Sequence, residues 1–109
     1  MLRKLISVLL VFGFSHAVFA GSTQDTGHVN MLYGDATTGA IVIQLDGGFP
    51  NAVAAKQCAA ADGSWAGNIS ASNTVKAMLL TAKATGASLI VTTQGCEGAW
   101  LKIVDVYMK

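Results

Sequence analysis

One segment with helical periodicity, flanked by segments with strand periodicity, is the feature that most constrains the fold of this chain. Ser72 or Asn73 can cap the first free amides of this helix, and Gly86 can adopt the left-handed conformation just past its end. Within residues 70–86, the apolar side chains on one helical face are Val75, Met78, Leu79 and Ala82. The sequence therefore predicts a mainly β protein with one helix.

Five other segments have the features of strands. Residues 40–46 show the clearest period of two, with Ile41, Ile43 and Leu45 on one face. Alanine is frequent in the third predicted strand, although it favours helix over strand. The predicted strands cover residues 28–33, 40–46, 52–60, 87–93 and 99–108.

The resulting order, β-β-β-α-β-β, limits the architecture. Five strands with a single helix between the third and the fourth have the connectivity of the OB-fold, a small and partly open barrel. An open α+β sheet with the helix on one face has the same order and is the alternative. We expect the barrel, because closing the sheet covers most strand edges of a short chain. No linker divides residues 21–109, so we expect a single small OB-like domain there.

Residues 1–20 have the three-part layout of a secretory signal peptide. Arg3 and Lys4 form a basic start, residues 5–14 are mostly apolar, and Ala20 ends a segment suited to signal peptidase. The apolar run is too short to span a bilayer, and no cysteine near the cut provides a lipid anchor. We therefore expect cleavage near Ala20-Gly21, no stable membrane anchor, and a secreted or periplasmic protein.

The charge of the exported part argues against nucleic acid as a partner. Residues 21–109 carry five lysines and six acidic side chains, and no basic stripe is present. The sequence also has no calcium loop, phosphate-binding glycine loop or zinc helix motif. We expect no cofactor and no metal site.

Two cysteines, Cys58 and Cys96, lie in the exported part, 38 residues apart. In an oxidising compartment such a pair is expected to form one disulfide. Closing a loop of this length would stabilise the fold by about 4 kcal/mol. A metal pair or a redox pair is the alternative, but the CxxC spacing is absent, and His28 is the sole histidine after residue 20.

The sequence contains little that resembles a catalytic site. His28 is the sole candidate base of the exported part, and Ser64 does not lie in the Gly-x-Ser-x-Gly elbow that exposes a nucleophile. A carboxylate pair for glycoside hydrolysis stays open, drawn from Asp46, Asp62, Glu97 and Asp105. We expect the protein not to be an enzyme.

Aromatic residues in polar loops give the candidate ligand site. Phe49 and Trp65 lie in or beside Gly- and Asn-rich loops that also contain Asn51 and Asn68. Flat aromatic faces beside short polar side chains suit sugar rings, and core packing is the alternative. For Trp100, within the last predicted strand, we expect core packing.

The last predicted strand is apolar on both faces, whereas a barrel interior covers one face. We therefore expect a homo-oligomer whose interface includes Val104, Val106 and Met108.

The chain resembles the B subunits of bacterial AB5 toxins and their stand-alone relatives in the layout of residues 27–109. The shared features are the signal peptide, a lone helix over residues 72–85, and two strands after it. Many uncharacterised small secreted bacterial proteins share that layout. The resemblance implies a ring-forming binding protein, and no sugar-contacting residue of those toxins is carried over.

Together these features predict a secreted, non-enzymatic binding module. It would recognise a carbohydrate or a protein, as a homo-oligomeric subunit. A small envelope hydrolase or hydrolase inhibitor is the alternative.

Overall fold

Five strands and two helices make up the part of the chain that the computed structural model describes, residues 21–59 and 63–109. Their bounds are β1 (Thr23–Gly34), β2 (Ile41–Leu45), α1 (Pro50–Ala54), β3 (Ala66–Asn68), α2 (Asn73–Thr85), β4 (Ser88–Glu97) and β5 (Trp100–Met108). The predicted fold class, mainly β with one long helix between the third and fourth strands, is confirmed. The predicted signal peptide, residues 1–20, lies outside the described residues.

The strand pairings follow a closed circuit, β1-β2-β3-β5-β4 and back to β1. Four of the five pairings are antiparallel, and the fifth, between β3 and β5, is parallel. The parallel pairing consists of Ala66 opposite Leu101 and Gly67 opposite Lys102, and we call these two residue pairs the seam. The mixed sheet thus curves until its edges meet at a very short seam.

The prediction of a third strand over residues 52–60 was wrong. The structure has the short helix α1 at Pro50–Ala54, and the third strand is Ala66–Asn68. Alanine favours helix, and Pro50 lies in the first helical turn, where a missing amide costs nothing. The strand that replaces it in the sheet is only three residues long and contains glycine, so its sequence carries no period of two.

Helix α2 forms as its end signals predict. The Ser72 hydroxyl accepts a hydrogen bond from the Val75 amide at 3.2 Å, and Gly86 is left-handed with φ of 75°. Leu79 and Ala82 are fully buried, and Met78 packs against the core from the same helix. The amphipathic face therefore closes over the interior of the sheet.

The core lies within the curve of the sheet, beneath both helices. Its residues come from every described strand and helix, and no charged side chain belongs to it. Its largest fully buried side chains are Phe49, Ile43, Leu79, Leu89, Leu101, Ile103 and Val91.

A buried carboxylate fixes the start of α1. Asp25 on β1 is only 3% exposed, and it accepts hydrogen bonds from the amides of Asn51 at 2.8 Å and Ala52 at 3.2 Å. Phe49, at the N-cap position, offers no side-chain cap of its own. Asp25 therefore supplies the cap from a distant strand and ties α1 to the sheet.

Replacing Asp25 by Ala is expected to destabilise the fold by about 2–3 kcal/mol, because the buried Ala52 amide and the part-buried Asn51 amide then lose a charged acceptor. Asp35→Ala is the matched control, since Asp35 also accepts two backbone amides, of Thr37 and Thr38, in hydrogen bonds exposed to solvent. Water can replace the Asp35 carboxylate as acceptor, so Asp35→Ala should destabilise the fold clearly less than Asp25→Ala. Urea unfolding measures both, and equal losses would contradict the buried cap.

Gly67 is required where β2, β3 and the seam meet. A Cβ at this position would lie 2.5 Å from the Ile41 carbonyl oxygen and 2.9 Å from Val42 Cα. Both are backbone atoms, so they cannot rotate away from the added methyl group as a side chain could.

Gly67→Ala should therefore destabilise the fold by about 3 kcal/mol, toward the upper end for overpacking. Gly34→Ala is the control on β1, because a Cβ there meets nothing within 4 Å. Thermal or urea unfolding of the two variants gives the comparison. A Gly67→Ala protein as stable as the control would show that the seam is looser than described.

Candidate functional site

Three aromatic side chains lie together on the outer surface of the sheet. Tyr33, Trp65 and Trp100, with Val42 and Ala99, line an open depression of about 300 Å³, which we call the aromatic pocket. Val42 is only 1% exposed, although it does not belong to the core cluster inside the sheet. It therefore forms the floor of a small apolar cluster separate from the core.

The strand register brings these side chains together. Val42 pairs with Tyr33 of β1 on one side and with Gly67 of β3 on the other, and directly paired residues point to the same face. Because Gly67 has no side chain, Val42 can lie against β3. The floor of the aromatic pocket thus depends on the same glycine as the seam.

The seam sets the two tryptophans side by side. Ala66 and Leu101 are paired across it and buried, so the residue before each of them points outward. These preceding residues are Trp65 and Trp100. In addition, the Leu101 amide donates a hydrogen bond to the Trp65 carbonyl oxygen at 3.1 Å.

Trp100 also carries a buried polar group. Its ring nitrogen Nε1 is buried and has no hydrogen-bond partner among the described residues, although the whole side chain is only half-buried. A buried indole N–H usually finds an acceptor. Among the described residues this donor stays unsatisfied.

The four residues predicted to bind a ligand do not come together. Trp65 lines the aromatic pocket, but Phe49 is 1% exposed and packs in the core. Asn51 donates its side-chain amide to the Gln24 carbonyl oxygen at 2.7 Å, within the contact between α1 and β1. Asn68 donates to the Ile103 carbonyl oxygen at 2.8 Å, so it holds β3 to β5. Phe49, Asn51 and Asn68 thus have structural roles.

His28 and Asp46 form a pair at the surface. Their side chains are 56% and 54% exposed, with His28 Nδ1 3.2 Å from Asp46 Oδ2. The His28 amide also donates to Asp46, and these hydrogen bonds hold the pKa of the Asp46 carboxyl below its ordinary value. The pair links β1 to the turn after β2.

The carboxylates named for a hydrolytic site have separate surroundings. Glu97 accepts the Ile69 amide at 2.7 Å, and Asp105 lies opposite Thr92 further along the β4–β5 pairing. Asp62 lies outside the described residues. Within residues 21–59 and 63–109, no group of three or more His, Cys, Asp or Glu side chains could hold a metal ion.

Cys58 and Cys96 are neighbouring thiols in this structure. Cys58 is buried, Cys96 is exposed, and no bond joins them. A hydrogen bond with Cys58, followed by desolvation, raises the pKa of the Cys96 thiol. The disulfide stays a prediction, and the fold places its two partners close together.

Of the three residues predicted at an oligomer interface, one is available at the surface. Val104 is 42% exposed, whereas Val106 is 9% exposed and belongs to the core. Met108 is half-buried and packs against the same core. An interface on β5 would therefore use Val104 and not Val106.

Comparison with protein-family models, curated proteins and solved structures found no match for this chain. The resemblance to AB5 toxin B subunits therefore stays a prediction.

Neither helix of the described residues has the length and apolar character needed to cross a lipid bilayer.

Proposed function

We propose that this protein is an exported, non-enzymatic binding module and that its aromatic pocket binds a sugar ring of a glycan. The observation that carries the proposal is the placement of Trp65, Trp100 and Tyr33 on one outward surface over the buried Val42. Aromatic side chains that share one open depression are suited to recognition, because they offer large, rigid contact areas at low entropic cost.

We place a sugar ring in this pocket because three aromatic side chains line it. The C–H faces of a sugar ring can stack on the aromatic rings, while its hydroxyl groups require polar partners at the rim. Lys102 lies on the same face of the sheet, opposite Gly67, and its ammonium group can serve as such a partner. A volume of about 300 Å³ is at the small end for ligand pockets and suits a single ring.

Export and self-association complete the proposal. The signal peptide over residues 1–20 would carry the protein to a compartment where glycans are exposed. One shallow pocket binds weakly, and a homo-oligomer would raise the avidity by presenting several pockets to one surface. Val104, exposed on β5, is the residue we place at that interface.

Removing a ring from the aromatic pocket should weaken glycan binding. We expect Trp65→Ala or Tyr33→Ala to lower the affinity about tenfold or more, as for an aromatic residue at a binding hot spot. Tyr107→Ala is the matched control, because Tyr107 is 52% exposed, similar to Tyr33 at 47%, but does not line the pocket. A glycan array selects the ligand, and isothermal titration then compares the variants. The proposal fails if the folded mature protein binds no glycan, or if all three variants bind equally well.

Charge at Val104 should separate the subunits. Val104→Lys places an ammonium group in the proposed interface, so the protein should sediment as a folded monomer. Leu80→Lys is the control, because Leu80 is an exposed apolar residue of α2, at 52%, away from β5. Analytical ultracentrifugation at tens of micromolar measures both. A wild-type protein that is already monomeric would rule out the oligomer.

A further inference from the structure

The neighbouring thiols lie against the backbone of an aromatic-pocket residue. The Cys58 thiol donates to the Trp100 carbonyl oxygen, with 3.9 Å between sulfur and oxygen. On the other side, Cys96 pairs with Leu101 across the β4–β5 hairpin, and the next residue, Glu97, pairs with Trp100. Both cysteines thus lie next to the start of β5, where Trp100 leads into the seam.

The segment that contains Cys58 is held in place by Gln57. The Gln57 side-chain nitrogen Nε2 lies within hydrogen-bond distance of three oxygens, Thr23 Oγ1 at 2.8 Å, the Thr93 carbonyl oxygen at 3.0 Å and the Gly21 carbonyl oxygen at 3.1 Å, which share its two N–H donors. These contacts anchor the end of the α1 segment to β1 and β4. These hydrogen bonds help to place Cys58 near Cys96, although no covalent bond joins the two cysteines.

We propose that Cys58 and Cys96 form a disulfide that acts as a latch on Trp100, so that oxidation fixes Trp100 in the aromatic pocket and reduction loosens it. The bond would join the segment after α1 to β4, next to the Trp100 carbonyl oxygen and to Leu101. The effect of the disulfide on Trp100 does not require a ligand. Its consequence for glycan affinity rests on the proposed function.

The chemistry is a thiol–disulfide exchange with an external disulfide. The exposed Cys96, as thiolate, attacks one sulfur of that disulfide, forms a mixed disulfide and releases one thiolate. The buried Cys58 then loses its proton and attacks the Cys96 sulfur, displacing the second thiolate. Two protein thiols are oxidised to one disulfide, and the external disulfide is reduced to two thiols. Glutathione disulfide is sufficient as the oxidant.

The Trp65→Phe variant tests the latch, because Trp100 is then the sole tryptophan of the chain. It is treated with glutathione disulfide or with a reductant, and peptide mapping follows the Cys58–Cys96 bond. Oxidation should change Trp100 emission and reduce access of acrylamide to the ring, because the disulfide forms beside the Trp100 carbonyl oxygen and fixes the residue. Cys96→Ser in the same background should not respond to either treatment.

Trp100→Phe is the matched reporter control. It keeps Trp65, whose emission should change far less on oxidation, because the Cys58 thiol lies against the Trp100 carbonyl oxygen, whereas the Trp65 carbonyl oxygen is bonded to Leu101 across the seam. The proposal is overturned if the two thiols stay free in glutathione disulfide, if the bond forms between two chains, or if Trp100 emission is the same in both states.

Glycan titration of the oxidised and reduced wild-type protein separates the two proposals. We expect weaker binding by the reduced form. If Trp100 responds to oxidation but neither form binds a glycan, the proposed function fails and the latch stands. If both forms bind equally well, the pocket does not depend on the latch, and the proposed control of binding is wrong.

Discussion

The seam is the constraint on which the rest of this structure depends. Two parallel residue pairs, Ala66 with Leu101 and Gly67 with Lys102, join the edges of the curved sheet. Inside, they bring Ala66 and Leu101 into the core, at 0% and 2% exposure. Outside, they set Trp65 beside Trp100. Closure of the fold and assembly of the aromatic pocket are therefore one event, and any change that opens the seam should disturb both.

Buried polar groups compensate for the small size of the fold. A domain of this length buries too little apolar surface to be robust on that account alone. Asp25 fixes α1 and Gln57 fixes the segment after it, and both do so through long-range hydrogen bonds to or from backbone amides and carbonyl groups. The same segment carries Cys58, so these contacts also place the thiol pair beneath Trp100. The same long-range hydrogen bonds therefore contribute to the stability of the fold and to the geometry of the proposed site.

Local signals explain what could be predicted from the sequence. The caps of α2, Ser72 and Gly86, act within one turn of the helix, and the alternation of residues 40–46 belongs to one strand. Helix α1 could not be predicted in the same way, because its cap, Asp25, is more than 25 residues away in the chain. For the site, Trp65 was identified by its polar loop, whereas Tyr33 and Trp100 were not. What places them beside Trp65 is the register of β1 with β2 and of β3 with β5, and no local pattern encodes that register.

The most direct test of this account is a nuclear magnetic resonance study of the mature protein. The Leu101 amide, which donates to the Trp65 carbonyl oxygen, should be among the most slowly exchanging amides. The indole protons of both Trp65 and Trp100 should show nuclear Overhauser effects to the Val42 methyl groups, since all three line one pocket. A rapidly exchanging Leu101 amide, together with tryptophan rings that show no contact to Val42, would contradict the claim that the seam closes the fold and builds the site.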